Sequence, residues 1–262
     1  MQIEANGIKM NYELSGKEGS PNLILSHSLG SSLFMWDPQM QVLEGHYQVL
    51  RYDTRGHGAS DAPPGAYTLD MLGEDALGML DALGMEKVHF VGLSMGGMIG
   101  QYLALNYPDR LEKLVLCDTA AILPQEAQPI WQERIDLARE KGMEALVDGT
   151  LERWFTPSFL KQNPPEVEQT RQQFLSTRSD GYIGCSEAIR RLNYLERLPE
   201  IKIPTLIMVG EEDPGTPVAA AEVMHEAIPD SRLVVLPSAA HLSNVEQAQA
   251  FNSALMQFLQ GQ

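Results

Sequence analysis

Cysteine is scarce in this chain of 262 residues: there are two, Cys117 and Cys185, and no C-x-x-C pair. That excludes a disulfide framework and fits a reducing compartment. Cys117, in the apolar stretch "LEKLVLCD", reads as a core residue. Positive charge is short as well, with 19 Lys+Arg against 35 Asp+Glu and a formal net charge of -16. A surface this acidic repels nucleic acid and anionic membranes, so neither is expected as a partner. It also slows an anionic substrate unless a local basic patch opposes it. No apolar run reaches the length of a membrane span, and the start "MQIEANGIKM" lacks the basic and apolar regions of a secretory signal. The expectation is a soluble, cytoplasmic protein. What the chain does have is 44% hydrophobic residues, enough for the core of one sizeable domain.

Those residues fall in a pattern. Two short strands, "QIEA" and "IKMNYEL", flank Asn6-Gly7, a hairpin turn signal. "NLILSH" and "YQVLRYD" are further strands. Leu69, Leu72, Ala76, Leu80 and Leu83 share one helical face, and Gly84 follows as a helix stop. "KVHFVGL" is a strand, "MGGMIGQYLALNYP" a helix and "LEKLVLCD" a strand. Nearly continuous apolar strands alternating with helices predict a mostly parallel sheet covered on both faces. After Asp118 the alternation stops. Residues 122–195 are helical, amphipathic and rich in charge. It resumes with "IPTLIMVG", a helix near "VAAAEVMHEAI", the strand "SRLVVLP" and a last helix "EQAQAFNSALMQFL". The expected organisation is a core of residues 1–121 and 196–262, with a helical insertion, residues 122–195, too long for a simple connection.

Ser94 lies in "GLSMG", a G-x-S-x-G pentapeptide between a strand and a helix. A residue on so tight a turn has strained backbone angles, and side chains two positions away would collide with it. Gly92 and Gly96 remove that collision. The strand and helix on either side favour a nucleophile over a solvated turn serine. A nucleophilic serine needs a base. Of six histidines, His241 in "LPSAAHLSN" follows the last apolar strand and falls at the same sheet edge as Ser94. His57 in "RGHGAS" is its competitor; His46, His89 and His225 read as surface or packing residues. The base needs an acid to fix its tautomer. Asp213 in "VGEEDPGTP" is favoured, with Asp118, Glu211 and Glu212 as rivals. The tetrahedral intermediate needs two donors. The backbone N–H groups of Met95 and of Leu29, in "SHSLG", are the candidates. None of this chemistry requires a metal or an organic cofactor.

Together these pieces resemble the α/β-hydrolase fold over essentially the whole chain. "YDTRGHGASD" is similar to its D-x-R-G-x-G-x-S turn, a structural element, and "GEEDPGTP" to its acid loop. The resemblance implies that the insertion is a helical cap. A narrower similarity, carried by "SHSLGSSLFMWDPQM", "GLSMGGMIGQYLA" and "LERWFTP", is to the 3-oxoadipate enol-lactonases of aromatic catabolism. It implies a small carboxylated lactone as substrate, opened through an acyl-enzyme on Ser94. Cap residues Arg134, Arg153, Arg190 and Arg191 are then candidates for the carboxylate, with Trp131 and Trp154 as apolar walls. The alternatives are a general carboxylesterase for short acyl esters or other lactones, a cofactor-free perhydrolase, and a non-catalytic ligand receptor. The sequence leaves the oligomeric state open.

Overall fold

The computed structural model describes residues 1–261. Its sheet has eight strands: β1 (Gln2–Ala5), β2 (Ile8–Gly16), β3 (Asn22–Ser26), β4 (Gln48–Tyr52), β5 (Val88–Leu93), β6 (Leu111–Cys117), β7 (Thr205–Gly210) and β8 (Arg232–Leu236). They lie in the order β1-β2-β4-β3-β5-β6-β7-β8. β1 and β2, and β2 and β4, pair antiparallel; the remaining neighbours are parallel. Asn6 (φ 46°) and Gly7 (φ 77°) make the β1–β2 turn, both with the positive φ that a tight type I′ hairpin requires. β3, β5, β6 and β7 are apolar along most of their length because helices cover both faces.

Eleven α-helices accompany the strands among the described residues: α1 (Asp37–Leu43), α2 (Leu69–Ala82), α3 (Met95–Asn106), α4 (Gln128–Lys141), α5 (Val147–Trp154), α6 (Pro157–Gln162), α7 (Pro165–Ser176), α8 (Ser179–Ile189), α9 (Val218–Ala227), α10 (Ser243–Glu246) and α11 (Ala248–Leu259). α2 begins where the Thr68 hydroxyl accepts the Met71 N–H at 3.1 Å. It stops at Gly84 (φ 67°), as expected, with Met85 N–H donating back to the Leu80 carbonyl at 2.8 Å.

Strand order places the site. The chain steps from β3 to β4 in one direction and from β4 to β5, β6, β7 and β8 in the other. Right-handed crossovers then put α1 on one face and α2, α3 and α9 on the other. The reversal opens a crevice beyond the carboxyl ends of β3 and β5, the usual place for a ligand in such a sheet. Ser26 pairs with Gly92, and Leu93 with Cys117, so these strand ends are level.

Helices α4–α8 form an insertion between β6 and β7. Its two ends meet in an Ile122–Asn193 bridge, flanked by bonds from Leu123 N–H to the Leu192 carbonyl and Tyr194 N–H to the Ala121 carbonyl. The helical stretch expected over residues 122–195 is divided into separate helices, the first break falling at Gly142 (φ 76°), a backbone conformation that ends α4.

Candidate active site

β5 delivers Ser94 to the sheet edge at φ 55°, ψ −114°. Its N–H donates to the Cys117 carbonyl (2.8 Å), and its carbonyl accepts from the Thr119 hydroxyl (2.7 Å) and from Met98 N–H (3.1 Å). These bonds hold a strained backbone in place. The glycines act as expected. A Cβ on Gly92 would lie 2.2 Å from the Gly96 carbonyl oxygen, and one on Gly96 would lie 2.1 Å from that of Ser26.

His241 Nδ1 lies 2.7 Å from Asp213 Oδ2. An ionised carboxylate only accepts, so the proton sits on Nδ1 and Nε2 is left bare. Asp213 is itself fixed. Its Oδ1 accepts from Gly215 N–H (2.7 Å) and Thr216 N–H (3.1 Å), and its Oδ2 from the Thr216 hydroxyl (2.6 Å). Burial alone would push the Asp213 carboxyl up, but His241 and the Thr216 donors hold it below the ordinary value. Burial would likewise push the His241 imidazole down, yet Asp213 and the nearby Asp118 carry it above the ordinary value.

The rival acids are engaged elsewhere. Asp118 (φ 43°) accepts from Gly210 N–H (2.8 Å) and from the Ser243 hydroxyl (2.5 Å), with no bond to His241. Burial, with Asp213 nearby, pushes its carboxyl up to about 8. Glu211 and Glu212 are exposed. His57, the rival base, is buried and its Nε2 accepts from Gly30 N–H at 2.9 Å. His27 Nε2 accepts from Thr54 N–H at 2.9 Å, and its Nδ1 donates to the Ser28 carbonyl at 2.7 Å. Burial, then His27, pushes the His57 imidazole down to about 3. Two neutral histidines therefore brace the loop of residues 27–31, a role the sequence reading did not assign. Its only trace there was their place in turns of small residues.

That loop carries Leu29. Among the described residues neither its N–H nor that of Met95 has a hydrogen-bond partner. Both are free to donate to a ligand at the strand ends.

Ser94, Leu29 and His241 line one cavity of about 560 Å³, together with Trp131, Arg134, Arg153 and Trp154 from the insertion. Trp154 stands edge-on to Phe174, ring centroids 5.7 Å apart. The Arg134 guanidinium lies over the Trp131 ring at 5.2 Å. Arg153 donates to the Thr150 hydroxyl at 3.0 Å, and burial, followed by the charge of Arg134, holds it below its ordinary value. Neither arginine forms an ion pair with a carboxylate among the described residues. Arg190 is a correction. It lies outside the cavity lining, bound to Gln128 (3.0 Å), Gln132 (2.6 Å) and Glu187 (3.4 Å). It sits just past the end of α8, and these partners on α4 and α8 engage its Nε and Nη1.

The "LERWFTP" segment fastens the insertion to the His241 loop. The Trp154 carbonyl accepts from Leu242 N–H at 3.0 Å. The buried Glu246 carboxylate accepts from Thr156 N–H (3.2 Å), from the Thr156 hydroxyl and from Ala240 N–H (2.9 Å). Glu246 and Thr216 are site-building residues the sequence reading missed. In the sequence Glu246 reads only as the first residue of the last helix.

No helix among the described residues is long and apolar enough to cross a membrane, and no cluster of His, Cys, Asp and Glu suited to a metal ion occurs among them.

Comparison with known proteins agrees with this architecture. A family model described as the alpha/beta hydrolase fold matches residues 21–248. The chain is 41% identical to 3-oxoadipate enol-lactonase 2 of Acinetobacter baylyi over 253 residues, 97% of this chain and 94% of that one. The crystal structure of the enol-lactonase from Burkholderia xenovorans superposes with a TM-score of 0.96 at 39% identity, covering 99% of this chain and all of that one. A thermophilic esterase from Thermogutta terrifontis, with malate bound, superposes at 0.94 with 30% identity, covering 100% and 98%. With the family pattern spanning most of its length and such relatives spanning nearly all of it, the chain belongs to the α/β-hydrolase fold family and is related there to enol-lactonases and esterases.

Proposed function

We propose that this protein is a serine hydrolase that opens a small carboxylated enol-lactone, as a 3-oxoadipate enol-lactonase of aromatic catabolism does. The observation that carries the reading is the pair Arg134 and Arg153. Both line the cavity of Ser94 and His241, and neither forms an ion pair with a carboxylate among the described residues. In a chain of net charge -16, two such cations beside a nucleophile suit a carboxylate arriving with the substrate. The similarity to enol-lactonases of two organisms supports the same reading.

The mechanism follows from the groups present. Ser94 Oγ attacks the lactone carbonyl as its proton passes to the bare Nε2 of His241. Asp213 supports the imidazolium that forms. Leu29 and Met95 N–H groups receive the developing oxyanion. The ring C–O bond breaks and expels an enolate, a better leaving group than an alkoxide; protonated from His241, it becomes the ketone. Water activated by His241 then attacks the acyl-serine and releases the acid. The test follows the ultraviolet absorbance of 3-oxoadipate enol-lactone with wild type and Ser94→Ala. Rapid loss that disappears in the variant is the expected result. Rapid cleavage of p-nitrophenyl butyrate with the lactone untouched would instead make this a general carboxylesterase, a reading the esterase relative favours.

A further inference from the structure

Each N–H group free to donate at the strand ends belongs to a peptide whose carbonyl is carried by the residue before it. Leu29 N–H shares its peptide with the Ser28 carbonyl, and Met95 N–H with the Ser94 carbonyl. Every peptide bond among the described residues is trans, so in each of these groups the carbonyl and the N–H point in opposite directions in one plane. Whatever grips the carbonyl therefore aims the N–H. In both groups a buried side chain does so. His27 Nδ1 donates to the Ser28 carbonyl at 2.7 Å, and the Thr119 hydroxyl donates to the Ser94 carbonyl at 2.7 Å. The His27 ring is fixed in turn, its Nε2 accepting from Thr54 N–H at 2.9 Å. Burial pushes its imidazole below the ordinary value, more than Asp53 and the Ser28 carbonyl raise it, so Nδ1 carries the one ring proton. The peptide after Leu29 is pinned as well, Gly30 N–H donating to His57 Nε2 at 2.9 Å. A hydrogen bond received by an amide oxygen also polarises the amide and makes its N–H a stronger donor.

We propose that His27 and Thr119 are positioning residues for the oxyanion site: through the carbonyls of Ser28 and Ser94 they aim and polarise the Leu29 and Met95 N–H groups. The inference rests on the catalytic reading of Ser94, Leu29 and Met95 given above. Neither His27 nor Thr119 lines the cavity, so both act through the backbone and not on the substrate. The two donors come from opposite sides of the site, His27 just after β3 and Thr119 just after β6. Each is matched to one amide, and each amide has one such donor.

The test uses paired variants, with kcat and KM for p-nitrophenyl butyrate and the inhibition constant of butyl trifluoromethyl ketone. Ser94 Oγ adds to the ketone carbon, its proton passes to His241, and the carbonyl oxygen becomes the oxyanion. Thr119→Val removes the hydroxyl at nearly constant shape, while the Ser94 carbonyl keeps its bond from Met98 N–H; Thr119→Ser returns the hydroxyl. His27→Asn places an amide N–H close to the position of Nδ1. His27→Gln places an oxygen close to that of Nε2, which keeps the Thr54 bond and loses the Ser28 one. Removing an oxyanion donor outright costs about 10²–10³ in kcat, so an amide left in place but badly aimed is expected to cost about tenfold. Thr119→Val and His27→Gln are expected to show that loss in kcat, with KM unchanged and ketone binding weakened in proportion. Thr119→Ser and His27→Asn are expected to recover most of it. Equal kcat within either pair, or a loss that appears in KM alone, would overturn the role of that residue. Should the His27 variants not fold, wild type decides: in the ketone adduct the proton resonances of Leu29 N–H and His27 Nδ1–H are expected to move downfield together. A His27 resonance that stays put while that of Leu29 moves would overturn its role. A ketone that binds Ser94→Ala as tightly as wild type would overturn the catalytic reading and the positioning with it.

Discussion

Ser94 keeps its strained angles because both of its backbone polar groups are tied to β6 and the turn after it, and because the neighbours two positions away have no side chain. Gly96→Ala would drive a methyl group to 2.1 Å from the Ser26 carbonyl oxygen, which no side-chain motion relieves. It is expected to remove activity on every substrate and lower Tm. Asp213 and His241 stand out in the sequence because each follows an apolar strand, and the turn chemistry around Asp213 favours it over Asp118. The structure adds the contact itself, Asp213 Oδ2 against His241 Nδ1, which no local pattern records. Asp213→Asn is expected to lower kcat by about 10³–10⁴-fold. With His241 as the proposed base, kcat/KM requires the neutral imidazole and is expected to fall as pH drops through the His241 value, which lies above the ordinary 6.5. In Asp213→Asn that acid limb moves to lower pH. Asp118 gives the opposite signature, in stability. Its carboxyl is raised to about 8 in the folded state, so it contributes stability when protonated, which is lost as pH rises from the unfolded value through about 8. Measured by Tm across that window, Asp118→Asn is expected to gain on wild type as pH rises. A constant difference would contradict the assignment.

At the scale of elements, the sequence made the sheet and its crossing helices plain because their periodicities are strong. It misplaced the last helix. "EQAQAFNSALMQFL" reads as one amphipathic segment, yet α11 begins at Ala248 and Glu246 belongs to the short α10. Three residues of α10 serve tertiary bonds. Ser243 donates to Asp118, Asn244 donates to the Met35 carbonyl, and Glu246 accepts from Thr156 and Ala240. No sequence period records such long-range pairings. The Glu246 bonds couple the insertion to the residue before His241. Glu246→Ala would leave the Thr156 and Ala240 N–H groups buried without a partner, at roughly 1–3 kcal/mol each. For a chain of this size, each kcal/mol lowers Tm by about 2–4 °C. The expected outcome is a Tm lower by several degrees together with a fall in kcat. Unchanged kcat would show that the clamp does not position His241.

The whole molecule sets a balance between a repulsive surface and an attractive cavity. For the proposed anionic lactone, a net charge of -16 would slow the approach, while Arg134 and Arg153, which line the cavity, would draw its carboxylate in. Salt screens exposed charges more than partly buried ones. Raising the ionic strength from low values is therefore expected to increase kcat/KM for the anionic lactone and leave that of a neutral ester nearly flat. The sequence disclosed the acidity and offered four cap arginines as counterweights, but it could not say which of them face inward. Arg134 and Arg153 face the cavity, Arg190 is bonded through Nε and Nη1 to residues of α4 and α8, and Arg191 is exposed.

The most direct test of the account compares wild type with Arg153→Met on two substrates, 3-oxoadipate enol-lactone and p-nitrophenyl butyrate. If the arginine receives the substrate carboxylate, the lactone-to-ester ratio of kcat/KM falls at least about tenfold, the loss of a charge-assisted hydrogen bond. A ratio that stays the same would contradict carboxylate recognition in this cavity.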